Sequence, residues 1–297
     1  GSCGTPASLL SHFPRMALLS PLTQVLLLVA VFAISALPTS KPLYTAAVAQ
    51  HLARAPGPSV AQFKAETLQE FRGSAMMARD KGADLVVFPE FGMIDANTSN
   101  KCLLRDVVTP YCEELPPVGS NPCATARSNS SLYVPGASCI ARDAGIVVAI
   151  NMCGLQENGT HTKQYNSELV FSETGVVLAV YNKVHVFDHP CFDEPASPDL
   201  VTFNTSFGVE FGVFTCKDIL FHDPAVTLAS RGIRHFIFSN AIPGPVVQAA
   251  WSKLHGTTLI GSDGWAGDSG VWINGSRVSA VPKRDEDDVV TAIVYDY

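Results

Sequence analysis

Hydrophobic residues in this chain occur in short continuous runs that alternate with amphipathic and polar stretches. Residues 84–89 and 145–152 are apolar at almost every position, which is typical of strands buried on both faces. In 59–81, large apolar side chains recur among polar ones at helical intervals, which predicts an amphipathic helix. The same criteria predict further strands at 45–52, 168–171, 176–181, 200–203, 209–215, 235–239, 258–262, 270–273 and 289–295.

The segments between these strands complete the predicted architecture. Helices are predicted at 224–231 and 246–254, and the Ser-Glu-Thr-Gly turn at 172–175 predicts a hairpin. Residues 97–141 are rich in Cys, Pro and Ser without a clear period, so we expect a long loop with a short helix near its end. Buried strands that alternate with helices indicate an α/β layered fold, in one domain from about residue 41 to 297.

Composition and charge limit the expected partners. The 297 residues are 47% hydrophobic and 16% charged, which suits a packed core and is too apolar for a disordered chain. The formal net charge of −7 comes with no long run of Lys or Arg. Because nucleic-acid binding needs a basic surface, we do not expect a nucleic-acid partner.

The first 40 residues have the pattern of a targeting segment. Residues 1–15 resemble no folded element and are interpreted as an upstream or non-native segment. Residues 16–40 contain an apolar run at 25–37, preceded by Arg15. This run is shorter than the roughly 20 residues that span a bilayer. We therefore predict a signal peptide cleaved between 35 and 40, which leaves no transmembrane span; a signal anchor or a buried helix is the alternative.

Sequons and cysteine parity both favour export. N-x-S/T sequons follow the leader at Asn97, Asn129, Asn158, Asn204 and Asn274. The cysteines after the leader are Cys102, Cys112, Cys123, Cys139, Cys153, Cys191 and Cys216. An odd number in a secreted protein leaves one thiol over. If that thiol is Cys216, the others suffice for disulfides of open connectivity. We expect a secreted, disulfide-bonded glycoprotein.

Three polar residues share one local context, the carboxyl end of a predicted apolar strand. Glu90 follows Asp-Leu-Val-Val-Phe-Pro, Lys183 follows Val-Val-Leu-Ala-Val-Tyr-Asn, and Cys216 follows Phe-Gly-Val-Phe-Thr. Ligands and catalytic groups gather at strand ends in α/β sheets. Each residue alone also has an ordinary explanation, as a loop carboxylate, a solvated lysine or a core cysteine.

Longer motifs surround these three residues. They are YTAAVAQH at 44–51, FPEFG at 88–92, YNSELVFSETGVVLAVYNKVHVF at 165–187 and VTFNTSFGVEFGVFTCKDILFHDPAVTL at 201–228. Together they resemble the vanin/biotinidase branch of the nitrilase, or carbon–nitrogen hydrolase, superfamily. The resemblance implies an α/β fold of the four-layer αββα sandwich type. It also implies a catalytic triad that falls on Glu90, Lys183 and Cys216.

The resemblance gives each of these residues a role that its chemistry fits. Cys216 would be the nucleophile that forms a thioester acyl-enzyme. Glu90 would be the general base, first for the thiol and then for water. Lys183 would stabilise the oxyanion, with help from the backbone N–H of Lys217. No cofactor and no metal are needed, because these groups supply nucleophile, base and electrophile.

The resemblance also implies a substrate class. It suggests a secreted hydrolase acting on linear, non-peptide amides, with pantetheine or biocytin-like biotinyl amides as the small-molecule substrate. The HDPAV motif at 222–226 favours pantetheine, which would give pantothenate and cysteamine. Lys217 and His222 are the candidate substrate-binding residues. Lys217 is explained equally well as a solvent-exposed residue, and His222 as an ordinary loop residue.

Departures from the branch affect the substrate and the domain boundary. Lys217 stands where the branch usually has Phe, and 239–248 lacks the usual Pro-Thr-Ala-Trp-Met-Asn run that helps to line the pocket. The chain ends at Tyr297, where the family continues into a β-rich domain, so we expect that domain to be missing.

Other functions were weighed against this one. A catalytically inactive secreted vitamin-binding protein would keep the fold, and an acyltransferase would pass the acyl group to an amine. The spacing of His185, His189, Cys191 and Asp193 also invites a zinc site, but zinc signatures usually show tighter ligand pairs. The oligomeric state is left open.

Overall fold

Two β-sheets lie at the centre of the computed structural model, which describes residues 41–51, 55–95, 104–125, 132–159, 161–187, 190–241, 244–264, 268–282 and 288–296. The first sheet contains β1 (Pro42–Gln50), β2 (Leu85–Val87), β3 (Glu113–Glu114), β4 (Val147–Asn158), β5 (His161–Phe171), β6 (Val177–Asn182) and β13 (Asp288–Tyr295). The second contains β7 (Thr202–Asn204), β8 (Glu210–Thr215), β9 (His235–Asn240), β10 (Thr258–Asp263), β11 (Gly270–Ile273) and β12 (Ser276–Arg277). Their strand orders are β13-β1-β2-β4-β5-β6, with β3 beside β4, and β12-β11-β10-β9-β8-β7.

The helices are α1 (Val60–Asp80), α2 (Arg105–Val108), α3 (Pro122–Thr125), α4 (Tyr133–Ala144), α5 (Thr227–Ser230) and α6 (Pro245–His255). Local sequence sets the ends of the longer ones. The Ser59 side chain caps α1 by accepting a hydrogen bond from the Gln62 amide at 3.2 Å. α6 begins with Pro245 and ends at Gly256, which takes the left-handed conformation that glycine tolerates.

Apolar clusters arrange these elements into four layers. Between the two sheets, residues such as Val48 and Val87 pack with Val213 and Ile260. A second cluster joins the outer face of the first sheet to α1 and α4. A third joins the second sheet to α5 and α6, where the Trp251 ring lies 5.0 Å from that of Phe214. The order helix, sheet, sheet, helix confirms the expected αββα sandwich.

Strand direction brings the ends of several strands to one edge. β1, β2 and β4 are parallel, and β6 runs in the same direction because two antiparallel pairings separate it from β4. In the second sheet β8, β9 and β10 are parallel. The segments after β2 and β6 therefore lie at one edge of the first sheet, and those after β8 and β9 share an edge of the second.

Most predicted strands and helices are confirmed, and the loop expected at 97–141 contains more regular structure than predicted. The helix expected at 59–81 is α1, and the predicted hairpin is β5–β6, although β5 begins at His161. Where a loop was expected, the described residues of 97–141 also contain α2, β3 and α3, and α4 is the short helix expected near the end of this segment. The helix expected at 224–231 is present, because the chain is non-helical at Asp223 and then continues from Pro224 into the short α5.

Two disulfides have both of their cysteines among the described residues. Cys112, just before β3, bonds Cys153 on β4, and Cys123 on α3 bonds Cys139 on α4. Cys191 is also disulfide-bonded. Among the described cysteines, Cys216 is free and buried, as the parity argument predicts.

Candidate active site

A buried ion pair joins the segments that follow β2 and β6. Lys183 Nζ lies 2.5 Å from Glu90 Oε1, and neither side chain is more than 2% exposed. Asn166 Nδ2, from β5, donates to the same carboxylate oxygen at 2.8 Å. Burying two charges is unfavourable unless they are paired and hydrogen-bonded, and this pair meets both conditions.

Two asparagines on adjacent strands hold the backbone beside Glu90. Asn151 on β4 donates to Asn166 Oδ1 at 2.7 Å and accepts a hydrogen bond from the Phe91 amide at 3.1 Å. Phe91 has a φ of +60°, a conformation that non-glycine residues adopt at some cost in free energy. The asparagine pair therefore fixes the turn on which Glu90 lies.

Cys216 occupies a strained turn at the end of β8. Its φ is +48°, in the left-handed region, and a 3₁₀ turn, Cys216–Leu220, starts there. Asp218 stabilises this turn by accepting a hydrogen bond from the Thr215 amide at 3.0 Å. Such strain costs about 1–3 kcal/mol and persists where surrounding contacts enforce it.

Asp218 also ties the Cys216 turn to the Lys183 segment. Its carboxylate accepts hydrogen bonds from Tyr181 Oη at 2.7 Å and from the His185 amide at 2.9 Å. Burial, followed by the Asp218 charge and hydrogen bond, raises the pKa of Tyr181. Tyr181 therefore remains a hydrogen-bond donor at neutral pH, and the two sheets are joined at the level of the site.

The Cys216 thiol interacts directly with both members of the ion pair. Burial raises the pKa of Cys216, and Glu90 raises it further through its charge and a side-chain hydrogen bond with the thiol. Lys183 and a backbone hydrogen bond from Ala241 act in the opposite direction. The resting sulfur is therefore a protonated thiol under the influence of the Glu90 carboxylate.

Lys183 keeps its proton despite its burial. Burial on its own would lower the pKa of Lys183, but the charges of Glu90 and Cys216 and the hydrogen bond to Glu90 raise it overall. The site therefore holds an ammonium, a carboxylate and a thiol, out of contact with bulk water. Such a set can transfer a proton from sulfur to carboxylate and stabilise an oxyanion.

The two candidate substrate-binding residues lie in different surroundings. Lys217 is partly buried, donates to the Val186 carbonyl at 3.2 Å, and its ammonium lies 5.3 Å from the centroid of the Phe187 ring. His222 is 73% exposed and lies beside Asp223 and Thr227. Lys217 therefore borders the segment that follows Lys183, whereas His222 is on the surface.

Sequence reasoning missed the residues that support these three. Asn151, Asn166, Glu168 and Ser239 are buried and lie around or beneath the Glu90 side chain. The sequence did contain a signal: Asn166 and Glu168 are polar residues at alternate positions in the buried part of β5. In a packed core, such residues need partners and so mark a network.

Other predicted positions are distributed as follows. The sequon residues Asn204 and Asn274 are exposed. Those at Asn97 and Asn129 lie outside the described residues, as do Cys102, His189 and the side chain of Asn158. Within the described ranges, no group of three His, Cys, Asp or Glu side chains could hold a metal ion.

Comparison with known proteins gives one family across most of the chain. The sequence model described as carbon–nitrogen hydrolase matches residues 45–259. Over 67% of our chain, the sequence is 34% identical to a biotinidase from Takifugu rubripes, and over 56% of our chain it is 36% identical to a pantetheinase from Mus musculus. These alignments cover 43% and 34% of the two relatives, so the chain spans less than half of their length.

Solved structures show the same fold at lower sequence identity. The amidase from Nesterenkonia sp. AN1 is 20% identical, with a TM-score of 0.64 over 84% of this chain and 93% of the amidase. That amidase is described as a member of the nitrilase superfamily, and acrylamide adds to its active-site cysteine. In the part of our chain that the structure describes, no helix is both long and apolar enough to cross a membrane.

Proposed function

Since the chain belongs to the carbon–nitrogen hydrolase family, in its vanin and biotinidase branch, we propose that it hydrolyses a linear, non-peptide amide with Cys216 as nucleophile. The observation that carries this proposal is the meeting of Glu90, Lys183 and Cys216 in one buried site. Three residues that are far apart in sequence supply the base, the cation and the nucleophile: Glu90 pairs with Lys183, and the charges of both act on the buried Cys216 thiol.

In the first half of the reaction, Cys216 becomes acylated. The thiol proton passes to Glu90 as sulfur attacks the amide carbonyl carbon and forms the C–S bond. The carbonyl oxygen becomes an oxyanion, which Lys183 and the backbone N–H of Lys217 stabilise. The intermediate collapses, the C–N bond breaks, and Glu90 returns its proton to the leaving amine. The product bound to the enzyme is a thioester.

In the second half, water releases the acyl group. Glu90, again a carboxylate, takes a proton from a water molecule that attacks the thioester carbonyl. The C–S bond breaks, the carboxylic acid leaves, and the thiolate of Cys216 recovers its proton from Glu90. Because burial favours the thiol over the thiolate, this reprotonation restores the resting state.

The substrate that we favour is pantetheine, which would give pantothenate and cysteamine. Support comes from the HDPAV motif at 222–226 and from the similarity to a pantetheinase. A biotinidase is similarly related, so biocytin-type amides are the second candidate. Lys217 provides a cation near the nucleophile, and this feature would favour the lysyl carboxylate of biocytin over pantetheine, which carries no negative charge.

We also propose that the protein is secreted. Support comes from the leader pattern, from exposed sequon residues such as Asn204 and Asn274, and from the disulfides Cys112–Cys153 and Cys123–Cys139. Disulfides of this kind form in oxidising compartments and are rare in the cytosol.

A side-by-side assay on pantetheine and biocytin tests the proposed reaction. The purified protein should release cysteamine from pantetheine faster than lysine from biocytin, and Cys216→Ala should reduce either activity to the blank. Full turnover by Cys216→Ala would overturn the mechanism. If the folded wild-type protein binds either compound but hydrolyses neither, it is a binding protein and the proposed activity is wrong.

A further inference from the structure

A second carboxyl group, Glu168, lies buried beneath the general base. It is on β5, two residues after Asn166, and is 1% exposed. Its side chain crosses to the second sheet, where the Ser239 hydroxyl lies 2.8 Å from Glu168 Oε1. The charge of Glu90 acts on Glu168 and raises the pKa of its carboxyl group further.

The contacts of Ser239 reveal which form of Glu168 the site accommodates. Ser239 Oγ lies 2.6 Å from the carbonyl oxygen of Phe88 as well as 2.8 Å from Glu168. A serine hydroxyl has one hydrogen to donate, and a carbonyl oxygen can only accept. If Ser239 donates to Phe88, Glu168 must donate to Ser239, which requires a protonated carboxyl. An ionised Glu168 would compete for that hydrogen and leave one buried acceptor unsatisfied.

This chain of hydrogen bonds ends next to the general base. Phe88 is two residues before Glu90, at the end of β2. Asn151, the cross-strand partner of Glu168, donates to Asn166, which donates to Glu90. The Ser239 hydroxyl therefore links Glu168 to the Glu90 segment, and Glu168 Oε2 is buried without a hydrogen-bond partner among the described residues.

We propose that Glu168 is a positioning residue that acts in its neutral form: its protonated carboxyl, the Ser239 hydroxyl and the Phe88 carbonyl form one relay that holds Glu90 against Lys183 and Cys216. The inference rests on the proposed amide hydrolysis for its kinetic consequences. The relay itself is a feature of the folded protein and can be examined without a substrate.

The electrostatics of the site agree with a neutral Glu168. Burial raises the pKa of Glu168 to about 8, Glu90 adds to the rise, and Ser239 and Asn151 oppose it. Glu168 is thus protonated at neutral pH and ionises in mildly alkaline solution. Ionisation would place a second negative charge beside Glu90 and break the relay.

The other titratable groups around the relay retain their protons in that pH range. Tyr181, which is opposite Glu168 on β6, has a raised pKa because of burial and Asp218. Burial and Glu90 raise the pKa of Cys216, and the pKa of Lys183 is raised by Glu90 and Cys216 against the effect of burial. The contacts from β4 and β9 come from Asn151 and Ser239, which do not titrate. Loss of activity just above pH 8 would therefore report Glu168.

The test compares kcat/KM from pH 6 to 10 for wild type, Glu168→Gln and Glu168→Leu. Gln is nearly the same shape as protonated Glu and can donate to Ser239, so Glu168→Gln should keep activity within about threefold at pH 7. Its activity plateau should extend about one pH unit higher than that of wild type. Leu cannot form the relay, so Glu168→Leu should lose about tenfold or more in kcat with KM little changed.

A second variant checks that Ser239 and Glu168 act together. Ser239→Ala should lower kcat by a similar factor, and the double variant Glu168→Leu/Ser239→Ala should be little worse than either single variant. The proposal is overturned if Glu168→Gln is as damaged as Glu168→Leu, or if Glu168→Gln falls at the same alkaline pH as wild type. The Gln comparison decides the matter even if Glu168→Leu does not fold.

Infrared spectroscopy distinguishes failure of the relay from failure of the proposed function. Wild type should show a carboxylic acid C=O band at pH 7 that disappears above about pH 9 and is missing from Glu168→Gln. If the band is present but no amide is hydrolysed, the proposed function is wrong and the protonated Glu168 stands. If the band is absent at pH 7, the positioning proposal is wrong whatever the activity.

Discussion

At the residue scale, the described chain has two buried glutamates that pair with lysines, one in the candidate active site and one at the start of a helix. Glu90 pairs with Lys183 at 2.5 Å, and Glu113 pairs with Lys64 at 2.8 Å. Glu113 also accepts hydrogen bonds from the first amides of α4, at Tyr133 and Val134, so its role is structural. Both glutamates are buried and paired with a lysine, but Glu90 acts on the Cys216 thiol, whereas Glu113 accepts hydrogen bonds from the start of α4.

The matched substitutions Glu90→Gln and Glu113→Gln should therefore have opposite effects. Glu90→Gln removes the proposed general base, so kcat/KM should fall by about 10²-fold or more. Glu113→Gln should leave kcat nearly unchanged and lower the free energy of unfolding by about 3 kcal/mol, because Lys64 remains buried without its partner. Steady-state kinetics and urea unfolding of both variants measure these quantities. Equal losses of activity in the two would contradict the assigned roles.

Glu168 gives a residue-scale prediction about stability and pH. Its pKa is about 8 in the folded protein and lies above the ordinary 4.5. Between pH 4.5 and 8, the folded protein therefore keeps a proton on Glu168 that the unfolded chain has released. The contribution is fully present below about pH 4.5 and is lost as pH rises through about 8. Because Gln does not titrate, Glu168→Gln does not lose this stability as pH rises, and it should be more stable than wild type by roughly 3 kcal/mol at pH 7.

Urea unfolding of wild type and Glu168→Gln at pH 5, 7 and 8.5 measures this effect. The stability difference should be small at pH 5 and increase with pH. A difference that stays constant from pH 5 to 8.5 would show that Glu168 does not titrate in this range.

At the scale of elements, α4 shows why the start of the short helix expected near the end of 97–141 could not be located from sequence. Local N-cap signals normally mark the start of a helix, but Leu132 at the N-cap makes no side-chain hydrogen bond. The cap comes instead from Glu113, which is 20 residues earlier than Tyr133. A carboxylate near a helix N-terminus also interacts favourably with the helix dipole. Because this cap is a tertiary contact, the sequence around α4 does not contain it.

The two disulfides for which both partners are described should differ in their contribution to stability. Cys112–Cys153 closes a sequence separation of 41 residues and Cys123–Cys139 one of 16. Because each disulfide lowers the conformational entropy of the unfolded chain, the longer loop should add about 4 kcal/mol to the free energy of unfolding and the shorter about 3 kcal/mol. Paired Cys→Ser substitutions at each disulfide, followed by non-reducing denaturant unfolding, measure this order. A larger loss at Cys123–Cys139 would show that strain or denatured-state structure dominates.

At the scale of the whole molecule, the sequence identified the three candidate catalytic residues that meet in the buried site, but it did not identify the residues that support them. Glu90, Lys183 and Cys216 each follow an apolar strand and lie in specific motifs, so local pattern and family resemblance sufficed to propose them. The contact between Ser239 and Glu168 joins residues 71 positions apart on different sheets. Hydrophobic periodicity predicts that two strands are buried, but it does not specify which polar residues meet when the sheets pack.

The proposed secretion leads to a prediction about the folded surface. Asn204 and Asn274 are exposed sequon residues in the described part of the chain, so both should carry N-glycans after expression with the native leader in eukaryotic cells. Asn204→Gln and Asn274→Gln should each reduce the mass of the protein by one glycan, as measured by gel mobility before and after glycosidase treatment. Protein retained in the cytosol without glycans would contradict secretion.

The acyl-enzyme is the most direct test of the central claim that Cys216 attacks an amide while Glu90 and Lys183 assist. Wild-type protein mixed with pantetheine, quenched in acid within one turnover and digested, should give a peptide that carries a pantothenoyl thioester on Cys216. Biocytin should give the corresponding biotinyl adduct if it is the substrate, and Cys216→Ala should give neither. Turnover of either amide with the acyl group on another residue, or undiminished turnover by Cys216→Ala, would contradict the account.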